Sequence, residues 1–363
     1  MLTYCTNIHP ADSWHQVARA VWPRVLQVKG RVKPIGPFPV GLRLSARAAR
    51  GITPWAAAQF GEQCRLDGCF IPCLNGFPYG SFHGERVKES AYLPDWRSRK
   101  RVEYTADLIR LLRLWLPEKM TGSISTVPIG FRKEITRADL PAVRENLLRV
   151  LEMLEESAAA GKKIILALEP EPGCLLETAA DLVCFLEELK LPEQLRPLLG
   201  ICYDCCHAAV LFQDPRLDFS RLKEAGIPVA KIQLSSAVRI TKNHLQAAGI
   251  FDEPRYLHQT TIKRGAGTFG YPDLGAALRS LPTLGEGGLK EEWRIHFHLP
   301  IFDDGNDSYG TTNAFIAEVL SCRPPQALLE IETYSYQVLP GHIRPASLID
   351  SISREFSWLR PYL

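Results

Sequence analysis

The chain has 363 residues, 46% of them hydrophobic, enough to bury one large core. Its 43 Lys and Arg against 40 Asp and Glu leave a net charge of +3, which gives no general drive toward nucleic acid or an anionic membrane. The opening Met1-Leu2-Thr3-Tyr4 lacks a basic stretch followed by an apolar one, and no later segment approaches the ~18 apolar residues of a membrane span, so a cytoplasmic chain is expected. Ten cysteines scattered through apolar runs read as buried thiols in a reducing compartment. Cys202 and Cys205 make one C-x-x-C, but no second pair completes a zinc-finger spacing.

Apolar runs of strand length alternate with amphipathic stretches of helix length, the pattern of a parallel sheet. Eight such runs are present: Leu2 to Ile8, Val40 to Ser45, Cys69 to Leu74, Ser123 to Val127, Ile164 to Glu169, Gly200 to Asp204, Val229 to Leu234 and Ala327 to Glu332. Between them lie helix signals. Ser13 with Gln16 is a capping box, Thr53 before Pro54 is an N-cap, Gly68 and Gly161 are stops, and Leu140 to Ala160 has a helical period. An α/β fold follows, a (β/α)8 barrel over residues 1–363 as a single domain, elaborated between its seventh and eighth strands. That elaboration, Thr241 to Phe302, holds a ninth run, Trp293 to Leu299. Within it Gly265-Ala266-Gly267-Thr268-Phe269-Gly270 matches the dinucleotide fingerprint, yet no compact βαβ unit surrounds it, so a nicotinamide cofactor is rejected.

Barrel enzymes place their chemistry where strands end at the C-terminal face. The fifth run ends in Glu169-Pro170-Glu171, and the sixth exits into Asp204-Cys205-Cys206-His207, where carboxylate and imidazole converge if a helix begins. The eighth carries Glu330 and Glu332 on one face by the period-two rule, with Glu332 nearer the mouth. A lone Glu at a strand end is usually a cap or an ion pair, so the joint placement is what points to a site. Oxygen and nitrogen donors together suit Mn, Zn, Co or Fe(II). His296 and His298 share a face of the ninth run and either complete such a site or pack beneath a lid. The stretch from Asn75 to Gly84, with its glycines and aromatics, suits a loop closing over a polar ligand.

Five segments, LTYCTNIHP, NGFPYGSFHG, YLPDWRS, GSISTVPIGF and LEIETYSY, carry a resemblance that covers essentially the whole chain. The sequence resembles the xylose-isomerase-like TIM-barrel superfamily, which includes sugar isomerases, ketose epimerases and endonuclease IV, and within it the EboE-type metabolite traffic proteins. The resemblance implies a divalent metal, Mn, Zn, Co or Mg, held by Glu169, Asp204, His207 and Glu332, with Glu169 and Glu332 as ligands or acid/base groups. It also implies a polyhydroxylated small-molecule partner and proteins of the same pathway as further partners; the residues expected to contact the small molecule are Asn75, Tyr79 and His83 of the strand-three loop and Glu171 after strand five. No nucleic acid partner is expected. The one departure is Gln233, which stands where the superfamily has a metal-binding histidine; His296 or His298 is the substitute expected. Two other functions stay open at this point: a non-catalytic carrier barrel, and an endonuclease IV-like phosphodiesterase, which needs histidines leaving strands three and four.

Overall fold

A computed structural model describes residues 1–83, 86–280 and 291–363, so Gly84 of the expected closing loop lies outside the described residues. The chain first forms β1 (Leu2–Tyr4), β2 (Phe38–Arg43), β3 (Cys69–Asn75), β4 (Gly122–Thr126), β5 (Ile164–Leu168), β6 (Leu199–Asp204) and β7 (Val229–Leu234). Five strands follow: β8 (Ser236–Thr241), β9 (Thr260–Arg264), β10 (Gly267–Tyr271), β11 (Glu291–Leu299) and β12 (Gly310–Thr311). The last strand, β13 (Leu328–Ile331), returns to the first set. One parallel sheet runs β1-β13-β7-β6-β5-β4-β3-β2, and a bridge between Cys5 and Gly41 brings its two edges together. Thr3 ties the seam: its hydroxyl donates to the Pro39 carbonyl and accepts from the Gly41 N–H, both at 2.8 Å. This is the expected (β/α)8 barrel.

The helices form where their local signals stand. Thr53 caps Pro54–Leu66 by accepting from the Ala56 N–H, and Gly161, at φ +83°, ends Leu140–Ala159 where a left-handed residue is needed. Their apolar faces pack on the strands in one continuous core, each buried Leu, Ile or Val contributing about 1.5–3 kcal/mol of burial. Among the described residues no helix is long and apolar enough to cross a membrane. All ten cysteines are unpaired.

Inside the barrel the side chains of β7, β13 and β3 meet in a charged layer. Lys231 lies 2.5 Å from Glu330 and 3.0 Å from the Ser125 hydroxyl, while the Cys73 thiol donates to the other Glu330 oxygen. Burial pulls the Lys231 ammonium toward neutrality, but Glu330 together with the surrounding Cys202, Cys73 and Cys5 more than offsets this and keeps it charged. Gly41 makes the space, because a Cβ there would sit 1.7 Å from a Glu330 oxygen.

Two expectations change. The first run is a strand only as far as Tyr4; Thr6–Ile8 is a 3-10 turn. Among the described residues the elaboration holds not one extra strand but three, β9 to β11, and with β8 and β12 these make an antiparallel sheet ordered β10-β9-β11-β8-β12 over a separate apolar core that includes Phe251, Trp293 and Phe297. The glycine pattern at 265–270 is a hairpin: Arg264 pairs with Gly267 across a two-residue turn, with Gly265 at φ +57°.

Candidate metal centre

Asp204 ends β6 and serves as N-cap of the helix Cys205–Val210, its Oδ1 accepting the His207 N–H at 2.9 Å. The cap explains the D-x-x-H spacing: one carboxylate oxygen anchors the helix that carries the imidazole, and the other, Oδ2, is left buried without a partner. His207 Nδ1 faces the Pro170 carbonyl at 3.0 Å and must donate to it, so Nε2 is the nitrogen with a free lone pair. Glu169 follows β5 with Oε2 likewise buried and unpartnered. Glu332 follows β13, and its Oε1 accepts two amide N–H groups, from Asn7 at 2.8 Å and Asn75 at 2.9 Å. Asn75, expected on the ligand, lines the cavity and also holds Glu332.

The second sheet completes the arrangement. Pairing of β11 with β8 slips between Ile295 and Leu299, and in that irregular stretch His296 and His298 turn toward the barrel mouth while Phe297 packs on Phe251. Their ring centroids lie 4.6 and 5.4 Å from that of His207. Gln259 donates its NH2 to Tyr92, Glu171 and the Pro172 carbonyl, so its oxygen, 2.7 Å from His296 Nδ1, accepts from that ring. His298 Nδ1 lies 2.8 Å from the Ser235 hydroxyl and 3.0 Å from the Glu332 carbonyl.

Donor atoms converge in trios whose members all lie within 4.8 Å of one another: Glu169–Asp204–Glu332, Asp204–His207–His298, Glu171–His207–His296 and Cys206–His296–His298. Burial in a crowd of like charges raises the Glu169 and Glu332 carboxyls, and burial alone is the main reason Asp204 and Glu171 are raised. Burial pulls His207 and His296 down and His298 down to about 4, leaving these imidazoles neutral and available as ligands. Buried carboxylate oxygens with nothing to accept from, beside neutral imidazoles with bare nitrogens, are the donor set a divalent cation satisfies. The residues present fit the metal.

Gln233 lines up with Asp204 on β6 and with Glu330 on β13, but its oxygen accepts from the Cys202 thiol at 3.1 Å and an NH2 group cannot coordinate a cation. The imidazole grouped with Asp204 and His207 is His298. His83 is not at the cavity; its Nε2 lies 2.5 Å from the Asn7 carbonyl and so steadies a residue that holds Glu332. Tyr79 is not brought to the site, its ring packing on Tyr104 and near Arg101. Strands β3 and β4 exit through Asn75 and through Thr126 to Pro128, and among the described residues neither exit places a histidine in a donor trio. Residues missed by sequence reasoning are Asn7, Tyr92, Gln259 and Tyr334. Asn7 alone had a signal, a polar side chain just past the first strand.

Above the donors is a cavity of about 50 Å³ with an aromatic roof of Phe77, Phe82, Tyr92, Tyr256 and Tyr334. At about 10–15 Å³ of such volume per water, it admits a few waters or a small polar group.

No family model matches the sequence, and no curated protein does. Solved structures do. A xylose isomerase-like TIM barrel protein from Mycobacterium smegmatis in complex with magnesium is 11% identical with a TM-score of 0.55, the match covering 99% of this chain and 95% of that one. The two share the (β/α)8 barrel fold. An L-ribulose 3-epimerase matches with 13% identity and a TM-score of 0.53 over 100% of this chain and 94% of its own. A D-psicose 3-epimerase from Clostridium cellulolyticum H10, solved with D-tagatose, gives 13%, 0.52, 99% and 97%.

Proposed function

We propose that this xylose isomerase-like barrel is a divalent-metal-dependent isomerase or epimerase acting on a small polyhydroxylated metabolite, a sugar or sugar phosphate. The observation that carries the reading is the convergence of Glu169, Asp204 and Glu332 within 4.8 Å, with buried oxygens on the first two left unpartnered. The epimerases that share the fold act on such compounds, which supports the substrate class. Glu169, Asp204, Glu332 and a neighbouring imidazole would hold the cation, which when bound would supply Lewis-acid polarisation of a hydroxy-carbonyl unit.

The chain's own groups do the rest. One of the two carboxylates, Glu169 or Glu332, removes the proton from the carbon beside the carbonyl, and the other returns a proton to the opposite face or to the neighbouring carbon. Glu332 is positioned for this by Asn7 and Asn75, which saturate one oxygen and leave the other toward the cavity. The aromatic roof limits water around the charge that develops.

A barrel that only carries its ligand was motivated by Gln233; that motive weakens once His298 stands beside Asp204 and His207. The resemblance to EboE-type proteins supports placing the activity in a metabolite biosynthesis or traffic pathway. The test is turnover of a panel of ketoses, aldoses and their phosphates by metal-replete protein. Isomerised or epimerised product is expected from the native chain, with a loss of roughly 10²–10⁴-fold in Glu169→Gln and Glu332→Gln. Absence of product from every compound, with metal bound, would contradict it.

A further inference from the structure

The cavity above the donors is roofed by three phenols, and two of them are engaged within the protein. The Tyr92 hydroxyl donates to Glu171 at 2.5 Å, and that of Tyr256 donates to the Phe82 carbonyl at 3.1 Å. Tyr334 lines the same cavity, yet among the described residues its hydroxyl has no hydrogen-bond partner. Nor is that oxygen sealed in by protein atoms, so it opens onto the space the residue lines. Its ring is held in place, with centroids 4.8 Å from Phe82, 5.0 Å from Tyr256 and 4.5 Å from His298. The chain puts it there directly. Tyr334 opens the 3-10 turn Tyr334–Val338 two residues past Glu332, and Thr333 between them donates its hydroxyl to Glu355 at 2.9 Å.

The other donors facing the cavity are taken. Asn7 and Asn75 give their amides to Glu332, and Lys88 at the rim lies 2.5 Å from Asp273. The imidazoles of His207 and His296 turn Nδ1 to the Pro170 carbonyl and the Gln259 oxygen, and His298 meets Ser235 and Glu332 through its own. Ionised carboxylates accept and do not donate. When the carbon beside a carbonyl loses its proton, negative charge builds on oxygen, and a buried oxygen gaining charge is stabilised by a donor fixed in advance. A space that admits only a few waters keeps whatever rests on the donors below within reach of the roof.

We infer that Tyr334 is a further catalytic residue, its hydroxyl donating a hydrogen bond to the substrate oxygen that gains charge as the neighbouring carbon is deprotonated. This rests on the isomerase or epimerase reading of the site. The proton passes from carbon to Glu169 or Glu332, the C–H electron pair moves toward the carbonyl oxygen, and the phenol, protonated at neutral pH, keeps its own proton throughout. The hydrogen bond strengthens as charge develops, so it acts on turnover more than on substrate binding.

The experiment compares full-length, Mn²⁺-loaded native protein with Tyr334→Phe. The substitution deletes one oxygen and keeps the ring contacts with Phe82, Tyr256 and His298, so both proteins should melt together and bind Mn²⁺ equally. On the sugar panel kcat should fall by about 10²–10³-fold with KM little changed. Glycolohydroxamate, a stable mimic of an enediolate, should bind the variant at least about tenfold more weakly by calorimetry. Equal turnover and equal hydroxamate affinity in the two proteins overturn the role of Tyr334 and leave the proposed function standing. A matching loss of Mn²⁺ affinity also overturns it, because the hydroxyl would then support a ligand rather than meet the substrate. A native chain that neither turns over a sugar nor binds the hydroxamate overturns both.

Discussion

At Glu332, two amides bond the same carboxylate oxygen, which fixes the side chain while its other oxygen faces the donors around it. Removing one such support from a ligand lowers metal affinity by about 10–100-fold. Asn7→Ala is therefore expected to weaken Mn²⁺ or Zn²⁺ binding by that factor in a chelator competition, and an unchanged affinity would count against Glu332 as a ligand. Glu355 tests the electrostatics of the core away from the metal. Burial raises its carboxyl from 4.5 to about 8 despite hydrogen bonds from the Thr333 hydroxyl and the Ile301 N–H. The folded chain holds this proton more tightly than the unfolded one, so its stabilising effect is complete below pH 4.5 and is lost as pH rises toward 8. The slope is at most about 1.4 kcal/mol per pH unit. Glu355→Gln does not titrate, so its melting temperature relative to the native chain should climb across that interval; a constant difference would contradict the shift.

The strands were legible where burial on both faces made them continuous apolar runs: β5, β6, β7 and β13 lie within a residue or two of the expected runs, and Glu169, Asp204 and Glu332 end them. His207 was legible through the cap, because a carboxylate three residues before an imidazole is a helix start as well as a ligand pair. The antiparallel sheet was not. Phe269 in β10 is 47% exposed, and β9 and β10 are joined by a turn whose glycines also fit a nucleotide motif, so neither hydrophobic period nor motif separated them. His296 and His298 were legible as a pair on one face by the period-two rule, but which of the two alternatives they meet, metal site or lid, depends on how the second sheet is seated, which no local pattern encodes. The charged layer gives a test at this scale. Lys231→Met leaves Glu330 buried without its cation and should cost about 3–5 kcal/mol by chemical denaturation, most of it recovered in the double variant with Glu330→Gln. Additive losses would show that the pair does not act as a unit. Gly41→Ala should cost about 3 kcal/mol, since its methyl group would displace Glu330 from the same pair.

The molecule joins a barrel that supplies the carboxylates and His207 to a small sheet that supplies two more imidazoles. Chain connectivity makes this natural: β7 leaves the barrel at Leu234 and β8 begins at Ser236, so the second sheet starts at the barrel's catalytic end. Gln233 stands where a strand-seven histidine was expected, and the nearby imidazoles come from β11, held from behind by Phe297 on its own apolar core. The central claim, that Glu169 and Glu332 move a proton beside a carbonyl, is tested most directly by deuterium exchange. Metal-loaded protein is incubated with ketoses and ketose phosphates in D2O, and the carbon next to the carbonyl is followed by NMR. Deuterium should enter at that carbon with the native chain and not with Glu169→Gln or Glu332→Gln. Full metal occupancy without exchange in any compound would contradict the account.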